Sequence, residues 1–391
     1  MRILVATDQW FPDFRGGSAR VATEAARALA RRGHELTVLA PRTAAAPART
    51  EEGSLTLLRV TRRGPFPQTI ADVAETARHA AGLRRKGFDV TLAHHATMAA
   101  GLEIARVRAP RAYVFHASPV RELRFRRARL PTRRARIPTY PLELALVALE
   151  RNAVRRAKRV LILSEFSRSL LRDDHPASAA DAVRVAGGVD VERFSPGDGQ
   201  QAARARLGLP ADSPVLVTVR RLAERMGLEE LVRAMPLLDG GSAPALLVVG
   251  SGVLEGSLRR LAADLGLEGR VRFVGPRGDD ELPDWYRAAD LFVLPTVAYE
   301  GFGMATVEAL ACGTPVVGTA VGATPEILAP LDERLIAERP EPTVLAETIA
   351  EGLRLADAGL RRRAREYAQQ RFAWDTVVEE WEAALLEASA S

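Results

Sequence analysis

Short apolar runs alternate along almost the whole chain with longer segments whose apolar residues recur at three- and four-residue steps. In the first half the runs are RILVAT, ELTVLA, DVTLAHH, RAYVFHA and RVLILSE; in the second they are PVLVTVRRL, ALLVVGSG, VRFVG, LFVLPT and PVVGT. Runs that stay apolar without alternating mark strands buried on both faces. The segments between them predict helices. SARVATEAARALARRGH is typical, with helical spacing of its apolar residues and Gly33 to stop it. Repeated strand–helix alternation predicts an α/β protein whose parallel sheets are covered on both sides. The last segment, FAWDTVVEEWEAALLEAS, predicts an amphipathic helix with Trp374, Val377, Val378, Trp381 and Leu385 on one side.

A chain of 391 residues exceeds the usual size of a single core, so two domains are expected. The stretch GGVDVERFSPGDGQQ has glycines, a proline and aspartates but no periodicity, and places the boundary near residues 192–200. The expected division is 1–192, 193–373 and a terminal helix, 374–391. Two such domains meeting across a central cleft would place ligands at the carboxyl ends of their strands.

Composition narrows the class. Apolar residues make up 47% and charged residues 27%, as in ordinary globular proteins. The single cysteine, Cys312, excludes an internal disulfide, fits a reducing compartment and reads as a small buried hydrophobe. The first apolar run stops at Asp8, and no later one approaches the roughly 18 residues of a membrane span, so a cytoplasmic location is expected. The net charge of +6 hides an asymmetry: of 55 basic and 49 acidic residues, 34 and 18 fall in residues 1–190 (+16), leaving 21 and 31 (−10) beyond. The first half therefore suits an anionic partner. No helix-turn-helix signal, zinc ligand set or aromatic interleaving points to nucleic acid. The stretch VRELRFRRARLPTRRARIPTY holds eight arginines from Arg121 to Arg136. It reads equally as a dock for an anionic membrane surface or anionic acceptor, each basic residue adding about 1 kcal/mol near a bilayer, or as a solvated loop. The first reading would put the protein peripherally at the inner face of the membrane.

Three stretches carry candidate chemistry. Gly16 and Gly17 stand between the first strand and its helix, where backbone N–H groups can approach an anion. Alone, the pair reads equally as a phosphate-facing loop and as a plain turn. In VTVRRLAERMG, Arg220 and Arg221 end a strand with Arg225 one turn on; they could hold a diphosphate, although in isolation a solvated basic turn is the better reading. In LFVLPTVAYEGFGMATVEALACG, a strand, a loop and a helix ending at Gly313 place Glu300 before the helix and Glu308 inside it. Amides around residues 302–305 can bind an anion or sugar hydroxyls, and carboxylates accept from hydroxyls. Apolar neighbours (Val307, Ala309, Leu310, Ala311) weaken the view of Glu308 as mere surface charge. GSGVLEG at 250–256 lacks the spacing of a dinucleotide fingerprint and reads as a tight turn.

These stretches together resemble the retaining glycosyltransferases of family 4, which have the GT-B architecture of two doubly wound Rossmann-like domains facing a central cleft. The resemblance rests on the E-x7-E pair Glu300 and Glu308, EALACGTPVV and VGATPEIL after it, the Gly16-Gly17 loop, GGVDVERFSP and RRL…RMG, and covers nearly the whole chain. It implies a C-terminal domain that binds a nucleoside diphosphate sugar, an N-terminal domain that binds a hydroxyl acceptor, and a last helix that crosses back to the first domain. It further implies that Glu308 accepts from the ribose hydroxyls and that Glu300 lies beside the transferred sugar. Phe302, Gly303 and Met304 would offer backbone groups, Arg221 and Gly17 would face the diphosphate, and His116 would lie near the reacting sugar. The family has lysine where this chain has Met226; Arg225, its neighbour, is the expected substitute.

No D-x-D ends a strand, so metal-independent chemistry without a cofactor is expected, with Arg and helix-terminal amides holding the phosphates. Two other readings stay open. One is a related enzyme such as a nucleotide-sugar epimerase or a pyridoxal-dependent phosphorylase; the other is a non-catalytic subunit, motivated by Met226. The base, the sugar and the acceptor are not legible; base choice is expected to involve the loop around Val274–Arg277.

Overall fold

The computed structural model describes residues 1–390 apart from 15, 44–45, 62–67, 117, 131, 133–135, 138 and 239–242. It separates into two compact units, Met1–Gly187 together with Trp374–Ser391, and Gly188–Ala373. The division falls at Gly187 and Gly188, ahead of the expected boundary near residues 192–200.

The first unit is built on β1 (Arg2–Ala6), β2 (Glu35–Pro41), β3 (Arg49–Glu52), β4 (Leu55–Val60), β5 (Val90–His94), β6 (Arg111–Phe115), β7 (Arg159–Ile162) and β8 (Val183–Arg184). Their order is β3-β4-β2-β1-β5-β6-β7-β8. All neighbours are parallel except β3 and β4, an antiparallel edge pair. Central strands are apolar throughout because both faces are covered: Ile3, Leu4, Val5, Leu92, Val114 and Phe115 are all fully buried. β3 is polar (RTEE) and largely exposed, as suits an edge where charge discourages further pairing.

The chain leaves this unit after Gly187 and re-enters it at Trp374. The returning helix, Trp374–Ala390, buries Trp374, Val377, Val378, Trp381 and Leu385. These are the side chains that its periodicity gathers on one face. Trp381 is fully buried, and its indole N–H donates to the Ala186 carbonyl at 2.9 Å. Burying each large apolar side chain contributes about 1.5–3 kcal/mol, which makes this helix a structural part of the first unit.

The second unit carries β9 (Val215–Val219), β10 (Ala245–Val249), β11 (Val271–Gly275), β12 (Leu291–Leu294), β13 (Val316–Thr319) and β14 (Ile336–Ala337), all parallel, in the order β11-β10-β9-β12-β13-β14. Leu216, Leu246, Val248, Leu291, Val293 and Val317 from the sheet pack with Leu231, Leu345 and Ile349 from its helices into one core. In each sheet the order of connection reverses once, between β1 and β5 in the first and between β9 and β12 in the second. At such a switch point the loops diverge to opposite faces and leave a crevice at the carboxyl ends of the strands.

Candidate active site

The second unit gathers its candidate residues at its switch point. β9 runs into Arg220 and Arg221, and β12 runs into Pro295, Thr296 and the loop that holds Glu300. Close backbone approach joins these loops. Gly227 has φ +71° and lies so near Pro295 that a Cβ there would fall 1.6 Å from the Pro295 carbonyl oxygen. Only glycine meets both demands. Gly250, at φ +139°, lies against Arg220 in the same way, which accounts for the tight turn in GSGVLEG.

Glu300 is held from several sides. Its Oε2 receives Arg220 Nη2 at 3.1 Å and the Thr296 hydroxyl at 3.0 Å. Its carbonyl accepts Ala323 N–H at 2.9 Å, and the preceding carbonyl, of Tyr299, accepts Arg225 Nη1 at 3.1 Å. Tyr299 itself sits at φ +55°, an uncommon conformation for a bulky residue that the surrounding contacts maintain. Glu300 keeps 15% of its side-chain surface exposed.

The helix Met304–Ala311 begins at Gly303, whose φ of +99° sets the turn into it. By construction its first N–H groups have no intrahelical acceptor. Phe302 is buried and meets the Phe372 ring edge to face at 5.8 Å, so its backbone rather than its side chain is available to a ligand. Glu308 lies within this helix, 4% exposed, and its Oε2 accepts the Tyr286 hydroxyl at 2.8 Å. Arg365 caps the helix end through the Ala311 carbonyl at 2.9 Å. Arg221 is exposed, Arg225 is half-buried and Met226 is buried.

In the first unit the helix Gly17–Arg31 starts beside the end of β1, with Gly17 at its first position. β5 and β6 end in a cluster of three histidines. His94 Nδ1 lies 2.8 Å from His116 Nε2, and the His95 ring lies 5.2 Å from that of His116. His95 Nε2 lies 3.2 Å from Asp8 Oδ1, within ion-pair range although not at a hydrogen-bonding angle. Burial, and secondarily the charge of His95, pushes His94 down to about 3. Burial followed by the two neighbouring histidines holds His116 well below its ordinary value. Both rings are therefore neutral near pH 7, and His116 is a hydrogen-bonding group whose Nε2 is already engaged.

The arginine-rich segment is less free than its composition implies. Arg121 pairs with Asp174 at 2.7 Å and with Asp173 at 3.0 Å. Arg124 and Arg127 both engage Glu143, and Arg129 stacks over the Phe125 ring. Arg126 and Arg129 are exposed; Arg133 and Arg134 lie outside the described residues. Beside them Ile137, Tyr140 and Leu144 are 62%, 50% and 72% exposed.

Thr296, Tyr286 and His94 are the contributors that sequence patterns did not single out. These three become relevant only once strand order or a loop is known. The sequence places Arg220 with Arg221 as a candidate diphosphate ligand, whereas here it is buried against Glu300. Among the described residues no group of three or more His, Cys, Asp or Glu converges as a metal site would require, and no helix is long and apolar enough to cross a membrane.

Two units of this kind, each built on a wholly or mostly parallel sheet with helices between its strands, are those of the GT-B fold. The chain superposes on sucrose-phosphate synthase from Thermosynechococcus elongatus with a TM-score of 0.83 at 23% identity, covering 100% of this chain and 99% of that one. It also superposes on Anabaena HepE in complex with UDP and glucose (TM-score 0.76, 22% identity, 99% of each chain) and on WaaG, a glycosyltransferase involved in lipopolysaccharide biosynthesis (0.76, 20%, 98% of each). Residues 15–193 match the model of Glycosyltransferase Family 4 and residues 199–371 that of Glycosyl transferases group 1. The chain belongs to the family 4, or group 1, glycosyltransferases. Among curated relatives, D-inositol 3-phosphate glycosyltransferase of Mycolicibacterium smegmatis is 36% identical over 235 residues, 59% of this chain and 53% of that protein. The same enzyme of Mycobacteroides abscessus is 37% identical over 235 residues, 59% and 52% of the two chains. The chain thus spans about half the length of the curated relatives it matches.

Proposed function

We propose that this protein transfers a sugar from a nucleoside diphosphate sugar to an acceptor hydroxyl with retention of configuration and without a metal ion. The observation that carries the reading is Glu300. It is a carboxylate pinned through one oxygen at the end of β12, partly exposed, beside the amino end of the Met304–Ala311 helix. Glu300 accepts from hydroxyls of the sugar, and the amides from Phe302 to Met304 meet its hydroxyls and phosphate. Glu308 accepts from the ribose: a carboxylate offers about four lone-pair sites, and Tyr286 engages Oε2. Arg221 and Arg225 hold the diphosphate, and Arg221 offsets the charge that grows as it leaves. In the first unit, Gly17 and the amino end of its helix suit phosphates, and neutral His116 suits hydrogen bonding to a sugar. The bond from the anomeric carbon to the phosphate oxygen breaks, and one from the same carbon to the acceptor oxygen forms on the same face. The acceptor's proton passes to the departing phosphate. Binding of UDP by HepE makes UDP the first nucleotide to try.

For the acceptor we favour a molecule presented at an anionic membrane surface. Exposed Arg126 and Arg129 next to exposed Ile137, Tyr140 and Leu144 combine charge with apolar side chains, as interfacial segments do. Selective binding to anionic over neutral vesicles would support this, and indifference to lipid charge would remove it.

The pyridoxal-dependent alternative requires a lysine in the site. The chain's two lysines, Lys86 and Lys158, are both exposed and both belong to the first unit. The test of the donor reading is thermal unfolding with UDP, GDP, ADP and TDP, each with EDTA. A ligand at ~100 times its Kd stabilises by about 2.7 kcal/mol. Stabilisation by one of them supports the reading, and a shift by none returns the non-catalytic subunit to the front.

A further inference from the structure

Arg220 is buried with much of its donor capacity unmet. Its side chain is 6% exposed. Among the described residues only Nη2 is engaged, by Glu300 Oε2 at 3.1 Å and by Met226 Sδ at 2.9 Å, while Nε and Nη1 are buried without a partner. Burial pulls the guanidinium below the usual arginine range; Glu300 opposes this, and the neighbouring Arg225 and Arg221 add to it. Such a pair is a weak source of stability, because desolvation offsets the attraction.

What the pair does achieve is asymmetry in Glu300. Oε2 takes both Arg220 and Thr296, whereas Oε1 takes no hydrogen bond among the described residues. The backbone beneath is fixed by Ala323 N–H, and Gly322 lies so close that a Cβ there would fall 2.2 Å from the Glu300 carbonyl oxygen. A carboxylate clamped from behind presents a single oxygen in a single direction, which is the requirement for precise orientation of a bound group.

We propose that Arg220 is a positioning residue that turns Glu300 so that Oε1 alone meets the transferred sugar. This rests on the donor reading given above. Because its guanidinium is buried, Arg220 acts through Glu300 and not on the ligand. Met226 fits the same arrangement. Its uncharged thioether lies against the guanidinium, where an ammonium would bring a second cation into direct opposition.

The test compares wild type, Arg220→Met and Arg220→Lys, each with Glu300 or with Glu300→Gln. Binding is measured by calorimetry with UDP, GDP, ADP and TDP. Turnover is measured as nucleotide release into water from UDP-glucose, GDP-mannose, ADP-glucose and TDP-glucose. Arg220→Met is expected to keep nucleoside diphosphate affinity within about threefold while turnover falls about a hundredfold, with about tenfold of that recovered in Arg220→Lys. In the Glu300→Gln background the same substitution should cost less than about threefold, since the two residues act as a unit. The proposal is overturned by a full loss that persists in the Glu300→Gln background, by wild-type turnover in Arg220→Met, or by a weakening of nucleotide binding as large as the loss of turnover. If Arg220→Met does not fold, Arg220→Gln takes its place in the same comparison. A wild type that binds none of the nucleotides ends the donor reading and this inference with it, an outcome distinct from every variant result.

Discussion

The Tyr286 hydroxyl donates to Glu308 Oε2 at 2.8 Å, joining the helix Leu282–Ala288 to the helix Met304–Ala311 across a buried boundary. Glu308 is thus a structural acceptor as well as a candidate ribose ligand, and its removal mixes the two roles.

Replacing Glu308 by alanine leaves the Tyr286 hydroxyl without this acceptor and should cost about 1–3 kcal/mol of stability. Glu308→Gln keeps an acceptor for Tyr286 but alters what the ribose meets. It should keep the melting temperature near wild type while weakening nucleoside diphosphate binding about tenfold or more. Thermal unfolding with and without nucleotide separates the two effects, and full nucleotide affinity in Glu308→Gln would contradict the ribose role.

The histidine cluster makes stability depend on pH. His94 is pushed from 6.5 to about 3 by burial, and His116 is lowered in the same direction. In the unfolded chain both titrate near 6.5, so between that pH and the lower folded value the unfolded state binds more protons. Stability is fully present above about 6.5 and falls as the pH drops, by up to about 1.4 kcal/mol per unit for each histidine. Melting temperatures from pH 7.5 to pH 5 should therefore decline, and His94→Asn should flatten the decline even though it lowers the starting value. An unchanged slope would show that other groups set the acid limit.

Arg225 links charge to loop geometry, since its Nη1 holds the Tyr299 carbonyl one residue before Glu300. Arg225→Ala should raise the donor KM or lower kcat by about tenfold or more. Arg225→Lys should recover part of the charge but not the loop contact. Unchanged kinetics in Arg225→Ala would show that neither matters.

Gly227→Ala and Gly33→Ala separate steric clash from backbone preference. Both glycines have positive φ, +71° and +89°, but a Cβ at Gly227 meets the Pro295 carbonyl whereas one at Gly33 meets nothing within 4 Å. Gly33→Ala should cost about 1 kcal/mol, and Gly227→Ala about 3 kcal/mol or more because two loops must part. Denaturant midpoints of the two variants check the difference.

Much of this fold was legible because strands covered on both faces leave continuous apolar runs, and all ten quoted runs contain strands. The four remaining strands are β3, β4, β8 and β14. β3 is polar, β4 alternates as an edge neighbour, and β8 and β14 are two residues each, too short for any period. Glu300 and Glu308 were readable because their spacing is local. His94 and His116 lie 22 residues apart and meet only because β5 and β6 are neighbours, a fact of strand order. Composition likewise overstated the free charge of the arginine segment, since Asp174 and Glu143 reach it from other helices.

The chain leaves the first unit at Gly187 and returns at Trp374, so that unit is encoded in two separate pieces. During synthesis, the slot that Trp381 fills stays empty until the whole second unit has been made. The second unit, an uninterrupted segment, has all its residues available before the first does. A ribosome that stops short of the last helix would release a chain with one completable unit and one exposed apolar face, the kind of surface that chaperones and proteases sample. The helix Trp374–Ala390 therefore ties completion of the first unit to prior synthesis of the whole second unit.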